Sequence, residues 1–221
     1  GFGGAFLTMV GLNFFFDGDK DVDWIRGLEL ALRRFSEIKA AEIGILLLLL
    51  YGISTMLAED EAMVFLSSGI LGIITYIAVD AIGSLLDKVE RKKMAAGAVR
   101  SGIGGFLYLE VLDASFSFDG VIGAFALSNN MLIIAIGLSI GAMFVRSMTV
   151  HLVRAGTLSK YRFLEHGAFW AIIALGLIML FSAKYHISES ITGLIGAVLI
   201  GISLVWSLRY NRKHGRQTDT V

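Results

Sequence analysis

The chain has 221 residues, of which 56% are hydrophobic and 17% are charged, and its formal net charge is zero. Its mean hydropathy of +0.74 is too high for a soluble domain and predicts an all-α, polytopic membrane protein whose main partner is the lipid bilayer. Neither a nucleic-acid partner nor a disulfide framework is expected, since the chain has no net positive charge and no cysteine.

Seven apolar segments are predicted to cross the membrane, most of them near the roughly 20 residues that a spanning helix needs. In chain order they are residues 2–16, 40–58, 63–86, 101–127, 131–153, 167–182 and 190–208. The first segment is short, and we expect a natural N-terminus upstream of Gly1. Between the first two segments, apolar residues recur at helical spacing over residues 21–38, which predicts an amphipathic helix on the membrane surface.

The basic residues indicate how the spans are oriented. Of the 19 lysines and arginines, all except Lys184 and Arg146 fall in alternate connections between the predicted spans and in the C-terminal tail. Basic loops stay on the cytoplasmic side of a membrane, so we expect a cytoplasmic C-terminus in a bacterial inner membrane.

The fourth predicted span contains three carboxylates. Glu110, Asp113 and Asp119 lie in a run that is otherwise long and apolar enough to cross a bilayer. Each carboxylate at that depth costs about 2.5–3.5 kcal/mol on insertion scales, so three of them indicate an ion or proton site. At about 100° per residue, Asp119 would lie opposite Glu110 on a straight helix. A helix break at residues 115–118 would let all three converge, as broken helices do where they line a cavity.

The chemistry of this stretch suits a hard cation. Carboxylates together with a hydroxyl such as that of Ser117 and backbone oxygens are ligands for Mn²⁺, Mg²⁺ or Ca²⁺. Ser115 and Ser117 could equally satisfy the broken backbone, and crowded carboxylates could also carry protons. A metal site, a proton site, or both at once therefore stay open at this point.

Two further charges lie inside predicted spans. Asp80 is about six residues from the cytoplasmic end of its span, and Arg146 is at a similar depth in another. An unpaired charge at this depth is expensive, which makes the two plausible partners, with Asp80 as an additional metal ligand. Arg146 could instead have a purely structural role or extend to the interface.

Small residues four apart predict close helix packing at three places. These are Gly137 with Gly141, the set Gly193, Ala197 and Gly201, and Ser68 with Gly72.

From Glu110 to Asp119 the sequence resembles the TerC family of membrane proteins, in its domain-of-unknown-function branch. The shared pattern is Glu-x2-Asp-x5-Asp within a span. The likeness extends to Asn129-Asn130, to a downstream span that holds Arg146, and to the stretches 163–167 and 192–196.

The resemblance implies a duplicated helical bundle, of which this chain is the second half, and a second acidic motif upstream of Gly1. It also implies tellurite resistance or, in several branches of the family, manganese export, with Glu110, Asp113 and Asp119 as metal ligands. The family has Asn after the last Asp, where this chain has Gly120, so one ligand is absent.

We therefore expect an inner-membrane exporter of a divalent cation, Mn²⁺ first, with proton coupling and homo-oligomerisation left open. The alternative is a metal-binding membrane scaffold that helps partner proteins to assemble or acquire metal. Tellurite chemistry would need a thiol, which this chain lacks. An enzyme is not expected, because no nucleophile and base are paired and the four histidines fall in or near predicted loops.

Overall fold

A computed structural model describes residues 1–16, 24–25, 27, 40–95, 130–154, 161–185 and 187–214. Within these ranges the regular structure is entirely helical, which confirms the predicted all-α class. The helices are α1 (Phe2–Phe16), α2 (Ala41–Ser54), α3 (Glu59–Ala95), α4 (Met131–Arg154), α5 (Leu164–Phe181) and α6 (Glu189–His214).

Four of these helices, α3 to α6, contain stretches long and apolar enough to cross a membrane, which indicates a multi-pass membrane protein. The helices α1 and α2 are apolar but shorter, with 15 and 14 residues. The prediction of seven spans in a duplicated bundle is not confirmed. The predicted span at 101–127 and nearly all of the amphipathic helix at 21–38 lie outside the described residues.

The centre of the bundle is α1. This helix is apolar on every side, and it packs against α5, α3 and α2, so most of its residues are buried. The core around it includes Phe6, Met9, Leu46, Leu50 and Leu180. In contrast, α4 is exposed along almost its whole length and has no extensive packing partner among the described helices.

Glycines set the distance between α1 and α5, which run antiparallel. A Cβ atom on Gly176 would lie 2.8 Å from the backbone nitrogen of Thr8 and 3.0 Å from the carbonyl oxygen of Gly4. Thr8 is buried, and its hydroxyl donates to the same Gly4 carbonyl at 2.7 Å. The two backbones therefore touch at a point where no larger residue fits, as small-residue motifs allow in membrane helices.

Small residues also mediate the contacts of α3. A Cβ atom on Gly72 would meet the carbonyl of Phe2, and one on Gly69 would lie 2.7 Å from the Leu50 side chain. The rings of Phe6 and Tyr76 pack edge-on with their centres 6.1 Å apart. Because Phe2 meets Gly72 and Phe6 meets Tyr76 four residues later on both helices, α1 and α3 run parallel. Of the predicted packing faces, Ser68 with Gly72 is thus a real contact.

The other two predicted packing faces have no partner in the described part of the chain. No described atom lies within 4 Å of a Cβ atom built on Gly137, Gly141, Gly193 or Gly201.

The helices α5 and α6 are joined at one end by a buried hydrogen bond. The backbone N–H of Phe163 donates to Oγ of Ser207 at 2.8 Å, and Ser207 is fully buried. This bond satisfies an amide that precedes the first turn of α5.

Removing the Ser207 hydroxyl should therefore destabilise the pair. We expect Ser207→Ala to lower the free energy of unfolding by about 1–3 kcal/mol, because the Phe163 amide stays buried without its acceptor. Thermal unfolding in mild detergent measures this. Ser139→Ala is the matched control, since Ser139 is exposed and its hydroxyl donates to Ala135 within its own helix. Equal melting temperatures for the two variants would contradict the prediction.

The two ends of the bundle differ in charge. The end at which α1, α3 and α6 finish and α5 begins, which we call the basic end, carries Lys88, Arg162, Arg209, Arg212 and Lys213. The opposite end carries Glu59, Asp60 and Glu61 at the start of α3. There, Nζ of Lys184 donates to the carbonyl of Met56 at 2.7 Å and ties the end of α5 to the turn between α2 and α3.

Candidate intramembrane cation site

The acidic stretch that carries the sequence prediction is outside the described residues. Glu110, Asp113, Ser117 and Asp119 all belong to it. Their assignment as metal ligands stays a prediction.

Asp80 is described, and it lies on the inner side of α3. It follows Tyr76 by four residues, which places it on the face that packs against α1. Tyr76 and Val79 are 8% and 6% exposed, whereas the side chain of Asp80 is exposed. No hydrogen bond or ion pair joins Asp80 to another described residue. The carboxylate is therefore exposed on α3, beside a bundle whose packing continues past this level through Leu12, Phe15 and Phe16 of α1 and Ile173 of α5.

Two polar residues outside the sequence-predicted site have the same relation to the core. Asn13 follows the buried Met9 by four residues on α1 and is exposed. Glu42 precedes the buried Leu46 by four residues on α2 and is half-buried. Each thus lies one turn from a core residue on the side of the basic end, and the core itself continues there through Leu12, Phe15 and Phe16.

Asn13, Glu42 and Asp80 are the inner polar residues of the basic end. In the sequence, each could have been recognised as a polar residue that lies four positions from a core residue. That signal cannot be used until the core face is known, because all sides of α1 and α2 are apolar in sequence.

No hydrogen bond or ion pair joins Arg146 to Asp80. Arg146 lies on α4, is exposed like its neighbours, and forms no ion pair with any described residue. The pairing of Arg146 with Asp80 stays a prediction.

The histidines supply no metal centre in the ranges that the structure describes, where no group of three His, Asp or Glu side chains comes together. His166 was expected in or near a loop, but it lies in the first turn of α5 and is 5% exposed. Its ring packs edge-on against Phe14 at 5.4 Å and near Phe15 at 6.4 Å. These contacts give it a packing role between α1 and α5.

The fold defines a class: a multi-pass, all-helical membrane protein with polar residues at one end of a glycine-packed core. The family model DUF475, described as "Protein of unknown function", matches residues 1–214. The chain therefore belongs to the DUF475 family. No curated protein matches the chain significantly. No solved structure does so either.

Proposed function

We propose that this protein is a divalent cation exporter of the bacterial inner membrane, with Mn²⁺ as its first candidate cargo. One observation carries the proposal. Three carboxylates, Glu110, Asp113 and Asp119, lie inside a single apolar run of a multi-pass membrane protein, and they are contained in a stretch of ten residues. Charged residues at that depth are rare in membrane proteins, and by default they mark a path for ions or protons.

The proposal also covers the arrangement of the spans and the relationship of this protein to the TerC family. The Glu-x2-Asp-x5-Asp pattern supports a relationship between this DUF475 protein and TerC proteins, with seven spans arranged as part of a duplicated bundle. Such repeats place an ion site near the midplane of the membrane, at broken helices.

The donor chemistry supports a hard cation. The chain has no cysteine, so a soft thiolate site is excluded, and carboxylate with hydroxyl oxygen suits Mn²⁺, Mg²⁺ or Ca²⁺. Ser117 would add its hydroxyl to the three carboxylates. Protons could occupy the same carboxylates when the metal leaves, which would couple export to proton entry.

The inner polar residues of the basic end fit the proposed path. Asn13, Glu42 and Asp80 each lie one turn from a core residue on three packed helices, and the positive-inside rule assigns the basic end to the cytoplasm. An exported ion would then pass Asp80 before it reaches the acidic stretch. Arg146 would neutralise the carboxylates when no metal is bound.

The test of this proposal is to measure the manganese content of cells that are grown under manganese load. Cells with the full-length parent should hold less manganese than cells without it, and Asp113→Asn should abolish the difference, because one ligand charge is lost. Asp60→Asn is the matched control, since Asp60 is exposed at the start of α3. All proteins are compared at equal membrane abundance. Unchanged export by Asp113→Asn would remove the assigned site.

The metal-binding scaffold is the second candidate function. It is favoured by the exposure of α4, which offers a helix surface of 24 residues to a partner. A scaffold would leave manganese content unchanged in both the parent and Asp113→Asn. It would instead lose its partners when the α4 surface is altered.

A further inference from the structure

An open groove runs along one face of α6. The described residues that line it are Val198, Gly201, Ile202, Val205, Trp206 and Arg209, and its volume is about 450 Å³. Their spacing of three and four residues places them in one stripe of the helix. The wall is apolar until the last turn, where Arg209 supplies a positive charge.

The groove has the length of one membrane leaflet. From Val198 to Arg209 the helix rises about 16 Å, and half of a bilayer core is about 15 Å. The stripe belongs to the candidate span at Ile191–Lys213. Val198, Val205 and Trp206 are each about half exposed, so the groove is not filled by the described helices.

The basic end of the groove has the composition of a headgroup site. Trp206 lies one turn before Arg209, and its ring meets that of Trp24 edge-on at 6.4 Å. Paired tryptophans of this kind prefer the interfacial level of a membrane. Arg212 and Lys213 are exposed in the next turn and add positive charge. Arg162 lies at the same end of the bundle, with its guanidinium 5.2 Å from the Tyr210 ring centre, on the side of α6 that packs against Phe163.

We propose that this groove binds one anionic phospholipid from the leaflet at the basic end. An acyl chain would lie along Val198, Ile202 and Val205, where Gly201 leaves room for it. The phosphate would accept hydrogen bonds from Arg209, whose planar fork suits phosphate oxygens. Charge complementarity favours an anionic lipid over a zwitterionic one, because several basic residues surround a single phosphate. This inference is independent of metal transport.

The test uses tryptophan fluorescence of the full chain in bilayer nanodiscs. In a Trp170→Phe background, so that the signal comes from Trp24 and Trp206, brominated phosphatidylglycerol is titrated into phosphatidylcholine. The mole fraction that half-quenches the fluorescence is measured. Brominated phosphatidylcholine gives the reference. We expect the anionic lipid to quench at a mole fraction several-fold lower than the zwitterionic lipid does.

Two variants with matched controls locate the site. Arg209→Gln should raise the half-quenching mole fraction about fivefold, which corresponds to about 1 kcal/mol per basic residue at an anionic surface. Arg154→Gln removes the same charge from the exposed end of α4 and should leave the value unchanged. Gly201→Leu should abolish the preference by filling the groove, whereas Gly193→Leu should not. No described atom lies within 4 Å of either glycine's Cβ position, so both variants should fold.

Three results would overturn the proposal. Equal quenching by the two lipids would mean that the groove has no headgroup preference. Equal shifts in Arg209→Gln and Arg154→Gln would mean that the charge acts diffusely. A dimer mass that disappears in Gly201→Leu, together with unquenched parent protein, would mean that a second copy covers the groove.

Discussion

Gly176→Leu is expected to separate α1 from α5 and to destabilise the protein more than Ser207→Ala does. The Cβ atom alone would meet Oγ1 of Thr8 and would also lie 2.8 Å from the backbone nitrogen of Thr8, so rotation of the threonine side chain cannot relieve the conflict. Overpacking usually costs about 1–3 kcal/mol, and a rigid backbone contact belongs at the upper end or beyond. Because α1 is the centre of the core, its displacement would also loosen α2 and α3.

The measurement is the thermal midpoint in mild detergent, with size-exclusion profiles to record loss of the folded peak. Gly141→Leu on α4 is the matched control, because no described atom lies within 4 Å of its Cβ position. Leucine has the higher helix propensity, so the control should be neutral or slightly stabilised. If both variants melt like the parent, the close approach of α1 and α5 is not what holds the core together.

Leu50→Ala is expected to cost about 2–5 kcal/mol, the range found for large-to-small changes in packed cores. Leu50 is fully buried, and its side chain fits against Gly69 of α3. Association of helices in lipid depends on such packing contacts, since the surrounding acyl chains are as apolar as leucine itself. The change leaves a cavity between α2 and α3 that the backbone cannot close.

Leu48→Ala provides the comparison within the same helix. Leu48 is 73% exposed, so the same atoms are removed from a surface where lipid can take their place. Its thermal midpoint should stay within a degree or two of the parent, about the shift that a few tenths of a kcal/mol gives. A similar loss in both variants would indicate that α2 is stabilised by its apolar composition and not by its packed side.

Much of the fold class could be predicted from the sequence, and the reason is physical. A backbone in lipid must satisfy its own hydrogen bonds, so long apolar runs form helices whatever their neighbours are. Because charged residues are rare within spans, the spans can be recognised in the sequence, and so can the exceptions Glu110, Asp113 and Asp119. Their assignment needed no packing information, and it stays a prediction because these residues lie outside the described part of the chain.

The packing partners could not be predicted in the same way. Small residues four apart occur in several helices, and the pattern does not say which of them meet. In the described structure, Gly72 contacts Phe2 and Gly176 contacts Gly4 and Thr8, whereas Gly137 contacts nothing described. The contact between α1 and α5 joins residues about 170 positions apart, and such a contact leaves no local signal.

The linear pattern of residues is therefore enough to predict that this protein is helical, that it lies in a membrane, and that its charges separate into a basic and an acidic side. Hydropathy and charge act on each segment alone, so a linear pattern is enough to express them. The tertiary arrangement was needed to learn that α1 is the centre of the core, that Asp80 is exposed on α3, and that Arg146 is exposed on α4. Those facts depend on which helix faces touch, and because α1 and α2 are apolar on every side, only the fit of side chains selects the face that packs.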